Sequence, residues 1–419
     1  MSTQSTHPIL FTHSAPQQAF RLLELTPELV GLLTKEDGAT LQLKSPAQSQ
    51  SQSQNSTGSQ QQQYVNLCTP TQTYRIREVQ SSNSLHVIRP SDGGAKRGDI
   101  NIVGGAGDQV GEEGLNLDLV DTMTAIAKCG STLELDVPSG GFSARPFLEG
   151  ALGVFDGDGV DGNSARGDLG MRGEEEEKER GDIIRCVFDD VPLSLAECER
   201  GWVELCAFVL PRAERSSSSS TRAVSEYCRR PSAQVKIDVW KKAMEGAVLQ
   251  GIDLEKQFLV RDLWKSVLDE DDDGTVVEPF PRDLFEAVVR RVCESGEELG
   301  GLFDDAQMKW ASIDKKKCLQ WVGETYLEAV APSTKTAVGR VEFLATWKNH
   351  LPESWRDDVS LSQLTNDSYK FPDPTTICYV NEADRQKLKN NLSTDISADT
   401  AAKKSRNWHE LFKNKRQKR

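Results

Sequence analysis

This 419-residue chain has little of what a uniformly packed protein needs: hydrophobic residues make up 37% of it and aromatics only 7%. Its length leaves room for two to four domains, so part of the chain is expected to lie outside any core. Paired cysteines are also missing. Nine cysteines are scattered from Cys68 to Cys378 with no Cys-x-x-Cys. That spacing excludes a disulfide framework or a zinc ribbon and reads as small buried hydrophobes in a reducing compartment. No apolar run approaches the roughly 20 residues of a bilayer span. The N-terminus lacks a basic stretch leading into an apolar one, so a soluble protein without a membrane partner is expected. Gly-x-x-x-x-Gly-Lys-[Ser/Thr] is absent, which argues against an NTPase. Histidine is scarce, at positions 7, 13, 86, 350 and 409. His86 has Ser81, Ser82 and Ser84 nearby in sequence, but neither a nucleophile elbow nor an orienting acid accompanies them. No catalytic residue is assigned, and an enzyme is not expected.

Two partial motifs fall short of a ligand site. The run "DEDDDG" puts Asp269, Asp271, Asp273 and Gly274 at positions 1, 3, 5 and 6 of a calcium loop. Phe280 stands where the bidentate Glu belongs, and Pro279 and Pro281 occupy the start of the exiting helix, so an acidic surface loop is the better reading. In "DINIVGGAGDQVG" Val110 takes the third fingerprint glycine's place, and no βαβ repeat surrounds it. Neither a metal nor a cofactor is expected.

What the chain does have is uneven charge. The formal net charge is −14, against bulk coating of nucleic acid. The seventeen residues from Lys403 nevertheless hold eight Lys or Arg against one acid, and "KNKRQKR" fits a nuclear address as well as a solvated tail.

Composition divides the chain into a strand-rich part and a helical part, an α+β class. In "FRLLELTPELVGLL", Thr26-Pro27 suits an N-cap followed by proline, predicting a short helix to Leu33. "TLQLKS" and "QYVNLCT" read as strands joined through the Ser/Gln tract 45–63, a disordered insertion. In "TYRIREVQSSNSLHVI" Tyr74 and Ile76 alternate with Arg75 and Arg77, and Leu85 and Val87 with Ser84 and His86; "QSSNS" is read as the turn between two strands. A second disordered insertion spans 91–114, and "LNLDLVDTMTAIAKCGSTLELDVP" predicts a short helix and a strand. This domain, 16–138, is too poor in core to stand alone, so its strand edges call for a partner. An acidic Gly-rich linker is read at 139–182.

From 183 onward, short amphipathic helices dominate. "SLAECERGWVELCAFVL" opens with Ser194 and Glu197 in capping-box spacing, with Trp202, Leu205, Cys206 and Val209 on one face. Leu284, Phe285, Val288, Val289 and Val292 form a second stripe, Leu319, Val322, Tyr326 and Val330 a third, and Val341, Leu344, Trp347 and Leu351 a fourth. Ser360 and Gln363 repeat the capping-box spacing, and "TTICYV" is a compact strand. Short helices closed by a strand suit winged helices, read at 183–250, 251–331 and 332–419.

The segments "FRLLELTPEL", "LCTPTQTYRIREVQSSNSLHVI" and "DPTTICYV" resemble the Dcc family, proteins defective in sister chromatid cohesion. The Thr-Tyr strand running into "SSNSL" is the most specific element. The resemblance is good over 20–88, patchy over 183–250 and moderate over 251–380. It implies a non-catalytic subunit of the alternative replication factor C clamp loader that acts on the sliding clamp PCNA. It further implies that the N-terminal strands enter a β-barrel shared with the large and small Ctf-type loader subunits. The complex would include the replication factor C small subunits, and consecutive winged helices would contact DNA and DNA polymerase epsilon in the nucleus. On this reading Tyr74, Ile76, Leu85 and Val87 divide between barrel core and interface. Lys315, Lys316, Lys317, Lys335, Arg340, Lys348 and Lys370 are the candidate DNA contacts, the competing reading of the same residues being a plain solvated face. The family continues past a segment like "ELFKNKR" into a Trp-containing helix, so the last winged helix is expected to be shortened. The alternative function is a stand-alone winged-helix DNA-binding protein.

Overall fold

A computed structural model describes residues 10–35, 40–45, 64–90, 122–157, 174–210, 227–270, 276–294, 302, 308–381 and 384–385. The Gly-rich insertion 91–114, nearly all of the Ser/Gln tract 45–63 and the basic segment from Lys403 lie outside the described residues. The chain divides into two units, Met1–Phe142 with Pro192–Glu197, and Ser143–Val191 with Cys198–Arg419. Both mix helices with small sheets, in keeping with the α+β class.

The first unit is built on one sheet. Its elements are β1 (Leu10–Ala19), β2 (Leu22–Leu23), α1 (Pro27–Leu33), β3 (Gln42–Lys44), β4 (Val65–Cys68), β5 (Thr73–Pro90) and β6 (Thr122–Asp136). The strands run in the order β1-β6-β5-β4-β3, with β2 also against β6. The expected start of α1 is present: Thr26 is the N-cap, and its hydroxyl accepts from the Leu29 amide at 3.4 Å.

One expectation about the long strands is corrected. The segment holding 80–84 does not turn, because β5 continues through it to Pro90. Of the stretch 115–138, read as a short helix and a strand, residues 115–121 lie outside the described residues, and Thr122, Thr124, Ile126 and Thr132, all β-branched, belong to β6, fifteen residues paired along β5. Pairing with β6 on both sides of 81–84 carries the strand through them, which a local turn signal cannot anticipate. The insertion is absorbed as a bulge. Gln80 pairs with Ser131 and Leu85 with Cys129, so five residues of β5 are taken up against two of β6. An odd step against an even one inverts the alternation. Leu85 and Val87 therefore share the face of Ile76, although their sequence parity is opposite.

A buried polar cluster fastens β5 to Pro192–Glu197 within this unit. The Glu197 carboxylate is buried and accepts from the Ser194 hydroxyl at 2.7 Å, the Ser194 amide at 3.2 Å and the Thr73 hydroxyl. The Ser194 hydroxyl accepts in return from the Glu197 amide at 3.3 Å, completing the capping box expected from the sequence. Asn66 adds a bond from its side-chain amide to the Pro192 carbonyl at 2.7 Å. Glu197→Ala leaves the Thr73 and Ser194 hydroxyls without their acceptor, while the Ser194 amide keeps the Thr73 oxygen at 2.7 Å, at about 1–3 kcal/mol for each unsatisfied buried group. The expected outcome in chemical denaturation is a loss of roughly 2–4 kcal/mol, whereas a change below about 0.5 kcal/mol would mean the cluster is solvated.

The second unit contains α2 (Arg145–Ala151), β7 (Gly153–Phe155), α3 (Glu174–Asp189), α4 (Leu195–Leu205, whose first three residues belong to the first unit), β8 (Phe208–Val209), β9 (Cys228–Pro231) and α5 (Ala233–Gln250). It continues with β10 (Phe258–Leu259), α6 (Val260–Lys265), β11 (Asp269–Glu270), β12 (Val276–Val277), α7 (Arg282–Val292), β13 (Trp310–Ala311), α8 (Lys315–Val330), β14 (Val338–Gly339), α9 (Arg340–Asn349), β15 (Tyr369–Lys370) and β16 (Thr376–Tyr379). Three small sheets have the orders β7-β9-β8, β10-β13 and β14-β16-β15, and β11 and β12 form a hairpin where the acidic run begins. The stretch 139–182 holds α2, β7 and the first turns of α3 rather than an unbroken linker.

One continuous core runs from Phe155 to Tyr379. The stripe Leu284, Phe285, Val288, Val289 and Val292 is buried as its spacing predicts, and so are Leu319 and Val322. Three details differ. The α4 helix stops at Leu205 because Cys206 takes a positive φ of 54°, and Phe208 and Val209 become a strand. In α9 the buried pair is Phe343 and Trp347, whereas Val341 is 83% exposed. Leu361–Gln363 is a single 3-10 turn in which Ser360 makes no side-chain cap. None of the nine cysteines is in a disulfide; eight are buried and Cys186 is exposed.

Candidate functional site

Among the described residues the first unit contains little core for so many strands. Among the described residues its buried cluster is Leu29, Leu67 and Tyr74, with Leu32, Leu41, Ile76 and Leu135 partly covered against it. Beyond the bulge the same sheet face carries Leu85, 48% exposed, and Val87, 40% exposed. Ile88 follows, paired with Ala125, beside the small residues Ala127 and Cys129 of β6. Large aliphatics at half exposure beside small neighbours form an apolar shelf, the kind of surface that marks protein contact. The opposite face is polar at its start. The Arg75 guanidinium lies over the Tyr64 ring at 4.8 Å, and Arg77 pairs with Glu134 at 2.8 Å. The four residues named from sequence thus separate by burial: Tyr74 lies in the core, Ile76 at its margin, and Leu85 and Val87 at the surface. His86 pairs in register with Lys128 on an exposed stretch of β5.

The seven basic candidates do not form one surface patch. Lys317 is a structural residue: its ammonium donates to the Cys293 carbonyl at 2.9 Å, and burial, with Arg291 nearby, pushes its pKa down. Lys315 pairs with Asp358 at 2.6 Å, while Lys316 and Lys335 are exposed. Lys348 lies half-buried in the last turn of α9. Arg340 meets Phe371, a residue that the sequence reading missed. The Arg340 guanidinium stacks on the Phe371 ring at 4.6 Å and donates to the Pro374 carbonyl at 3.1 Å. Phe371 meets Tyr369 edge-on at 5.3 Å, is exposed, and directly follows Lys370. The alternation "YKF" before Pro372 was the available signal, a base between two aromatics.

The loop carrying this patch is fixed by Asp373. Its carboxylate accepts from the Thr375 amide at 2.9 Å, the Thr375 hydroxyl at 2.7 Å and the Thr376 amide and hydroxyl at 3.0 and 2.6 Å. The two threonine hydroxyls, Thr376 first, and then the Thr375 amide hold its pKa down at about 2. His350 supplies no acid-base site: it is buried against Tyr326, and burial, with Lys241, lowers its pKa to about 4. Its carbonyl accepts from the Trp240 indole at 2.8 Å, as a core residue's would.

These elements, β5 with its bulge and the Asp373 turn, sit in the segments that carried the resemblance. A family model, sister chromatid cohesion protein Dcc1, matches residues 20–396. The chain belongs to the Dcc1 family. Membership implies a role in sister chromatid cohesion and, with it, work alongside partner proteins. No curated protein matches the chain. Among the described residues no helix is long and apolar enough to cross a membrane.

Proposed function

We propose that this member of the Dcc1 family is a non-catalytic, nuclear subunit of an alternative replication factor C clamp loader, serving PCNA loading or unloading during replication. The observation that carries the reading is the open sheet of the first unit, a long β5-β6 ladder with a small described core and an exposed aliphatic shelf. A sheet in that condition gains most of its stability from a second protein, through apolar burial and pairing of strand edges. The large and small Ctf-type subunits are the proposed occupants, with the replication factor C small subunits completing the loader.

The second unit supports a reading as three winged helices. The order helix, short strand, two helical segments and two strands occurs as α2-β7-α3-α4-β8-β9 and again as α8-β14-α9-(353–358)-β15-β16. In both sets the first strand lies beside the third and the third beside the second. The set α5-β10-α6-α7-β13 repeats the plan, with the Cys293–Ile313 bridge in the missing strand's place. The proposed modules then run 145–231, 233–313 and 315–379 instead of 183–250, 251–331 and 332–419. Strands two or three residues long carry too little periodicity to set such boundaries from sequence.

DNA contact is assigned to the patch of Arg340, Lys370 and Phe371, and polymerase epsilon to the remaining winged-helix surface. If Arg340 and Lys370 each neutralise a phosphate, replacing both with Gln lowers the salt slope of duplex binding by about 2. An unchanged slope in a filter-binding or anisotropy titration removes the patch from the DNA interface. The whole proposal is tested by affinity purification of the tagged chain from its own lysate at moderate salt, followed by mass spectrometry. Recovery of loader subunits is the expected result. Recovery of duplex-bound chain without them would favour a stand-alone winged-helix DNA-binding protein.

A further inference from the structure

The end of α5 opens into a groove of about 760 Å³ that plays no part in the surfaces described above. Gly251 closes the helix at a φ of 68°, and the Ile252 amide returns to the Ala247 carbonyl at 2.8 Å. Val248 and Leu249, in the last turn, are 76% and 82% exposed although both line the groove with Ile252 and Leu351. A single exposed aliphatic needs no explanation, but two adjacent ones at the mouth of an apolar groove do.

The groove is also negatively charged. Glu245, Asp253, Glu255 and Glu353 line it, against Arg356. Lys256 pairs with Asp253 at 2.9 Å, and even with that cation counted the carboxylates remain in excess. The last turn of α5 holds no basic residue, so the negative end of an 18-residue helix adds to the same field.

We propose that this groove receives the chain's own basic segment around Trp408, Leu411 and Phe412. Those three residues stand at i, i+3 and i+4, the spacing that gathers apolar side chains on one face of a helix laid in a groove. Eight Lys or Arg against one acid in 403–419 complement the carboxylate rim. The connection is long enough. Trp408 lies 23 residues beyond Arg385, up to about 75 Å of extended chain, against roughly 50 Å across a unit of this size. Docking places the apolar triad over Val248 and Leu249 and leaves the flanking cations at the acidic rim.

A photo-crosslinking side chain at Leu249 in the full-length chain tests this, since so exposed a position tolerates replacement. Crosslinks from 249 to peptides within 404–416 of the same molecule are expected. Their yield should fall in about 1 M salt, where the Debye length shrinks to about 3 Å. Leu411→Asp with Phe412→Asp should reduce the yield roughly tenfold or more, with the thermal unfolding of the chain unchanged. Mixing isotope-labelled and unlabelled chains separates capture within one molecule from capture between two. Crosslinks only between copies, only to another protein, or absent from a folded chain would each overturn the proposal. Loss of loader subunits in the purification above bears on the proposed function and leaves this contact untouched.

Discussion

Replacing Leu85 and Val87 together by Asp is expected to strip the chain of its partner proteins while its second unit unfolds as before. Both side chains are exposed on the shelf beyond the bulge, so the isolated chain has little to lose by the change. On the proposed reading the same positions are covered in the complex. Burying a Val or Leu side chain contributes about 1.5–3 kcal/mol, and a carboxylate forced into an apolar interface costs several more. The sum exceeds about 4 kcal/mol, at least a thousandfold in affinity at 1.4 kcal/mol per factor of ten. Tyr74→Asp is a weaker test, because Tyr74 belongs to the small buried cluster and its loss unfolds the sheet itself. The paired readouts are co-purification of partners and far-UV dichroism of the free variant. Undiminished co-purification would remove the shelf from the interface.

The second large effect is expected from Gly323→Ala, inside α8. Helix propensity alone favours alanine there by about 1 kcal/mol. Packing opposes it. A Cβ on residue 323 would lie 2.5 Å from two atoms of the Trp347 ring and 2.9 Å from a Leu364 methyl. The ring cannot withdraw easily, since it is fully buried and its indole N–H donates to the Leu319 carbonyl at 3.2 Å. Displacing it opens the contact between α8 and α9, where Phe343 also packs against Trp347 at 5.6 Å between ring centroids. Overpacking of this kind costs about 1–3 kcal/mol and more where the neighbour is immobile, so after the propensity gain a net loss of roughly 2 kcal/mol is expected. Chemical denaturation decides between the two terms by sign. A stabilised variant would show that the helices separate without cost.

The parts of the fold legible in the sequence were those fixed by a local rule. Thr26-Pro27 named its helix, Ser194 and Glu197 their capping box, and the Val/Leu/Phe stripe of α7 its buried face. What escaped was decided at a distance. The segment 80–84 reads as a turn until β6 is present to pair at Gln80 and Leu85, on either side of the bulge. The bulge that puts Leu85 and Val87 on the face of Ile76 is invisible to alternation, which changes phase across it. Val341 fits a helical stripe with Trp347, but the core takes Phe343 because the indole and the Tyr326 ring, 5.8 Å from Phe343, stand on that side. Among the basic candidates, Lys317 looks like its neighbours Lys315 and Lys316 in sequence, and only the fold turns it inward to the Cys293 carbonyl.

Amide hydrogen exchange along β5 and β6, in the free chain and in the purified complex, tests the central claim most directly. A sheet with so small a described core opens often, so the amides of 85–89 and 123–129 should exchange quickly in the free chain. They should become strongly protected in the complex, while the amides of α7 and α8 are protected equally in both. Full protection of β5 and β6 in the free chain would mean that the sheet closes on itself, and would contradict its assignment as a partner-docking unit.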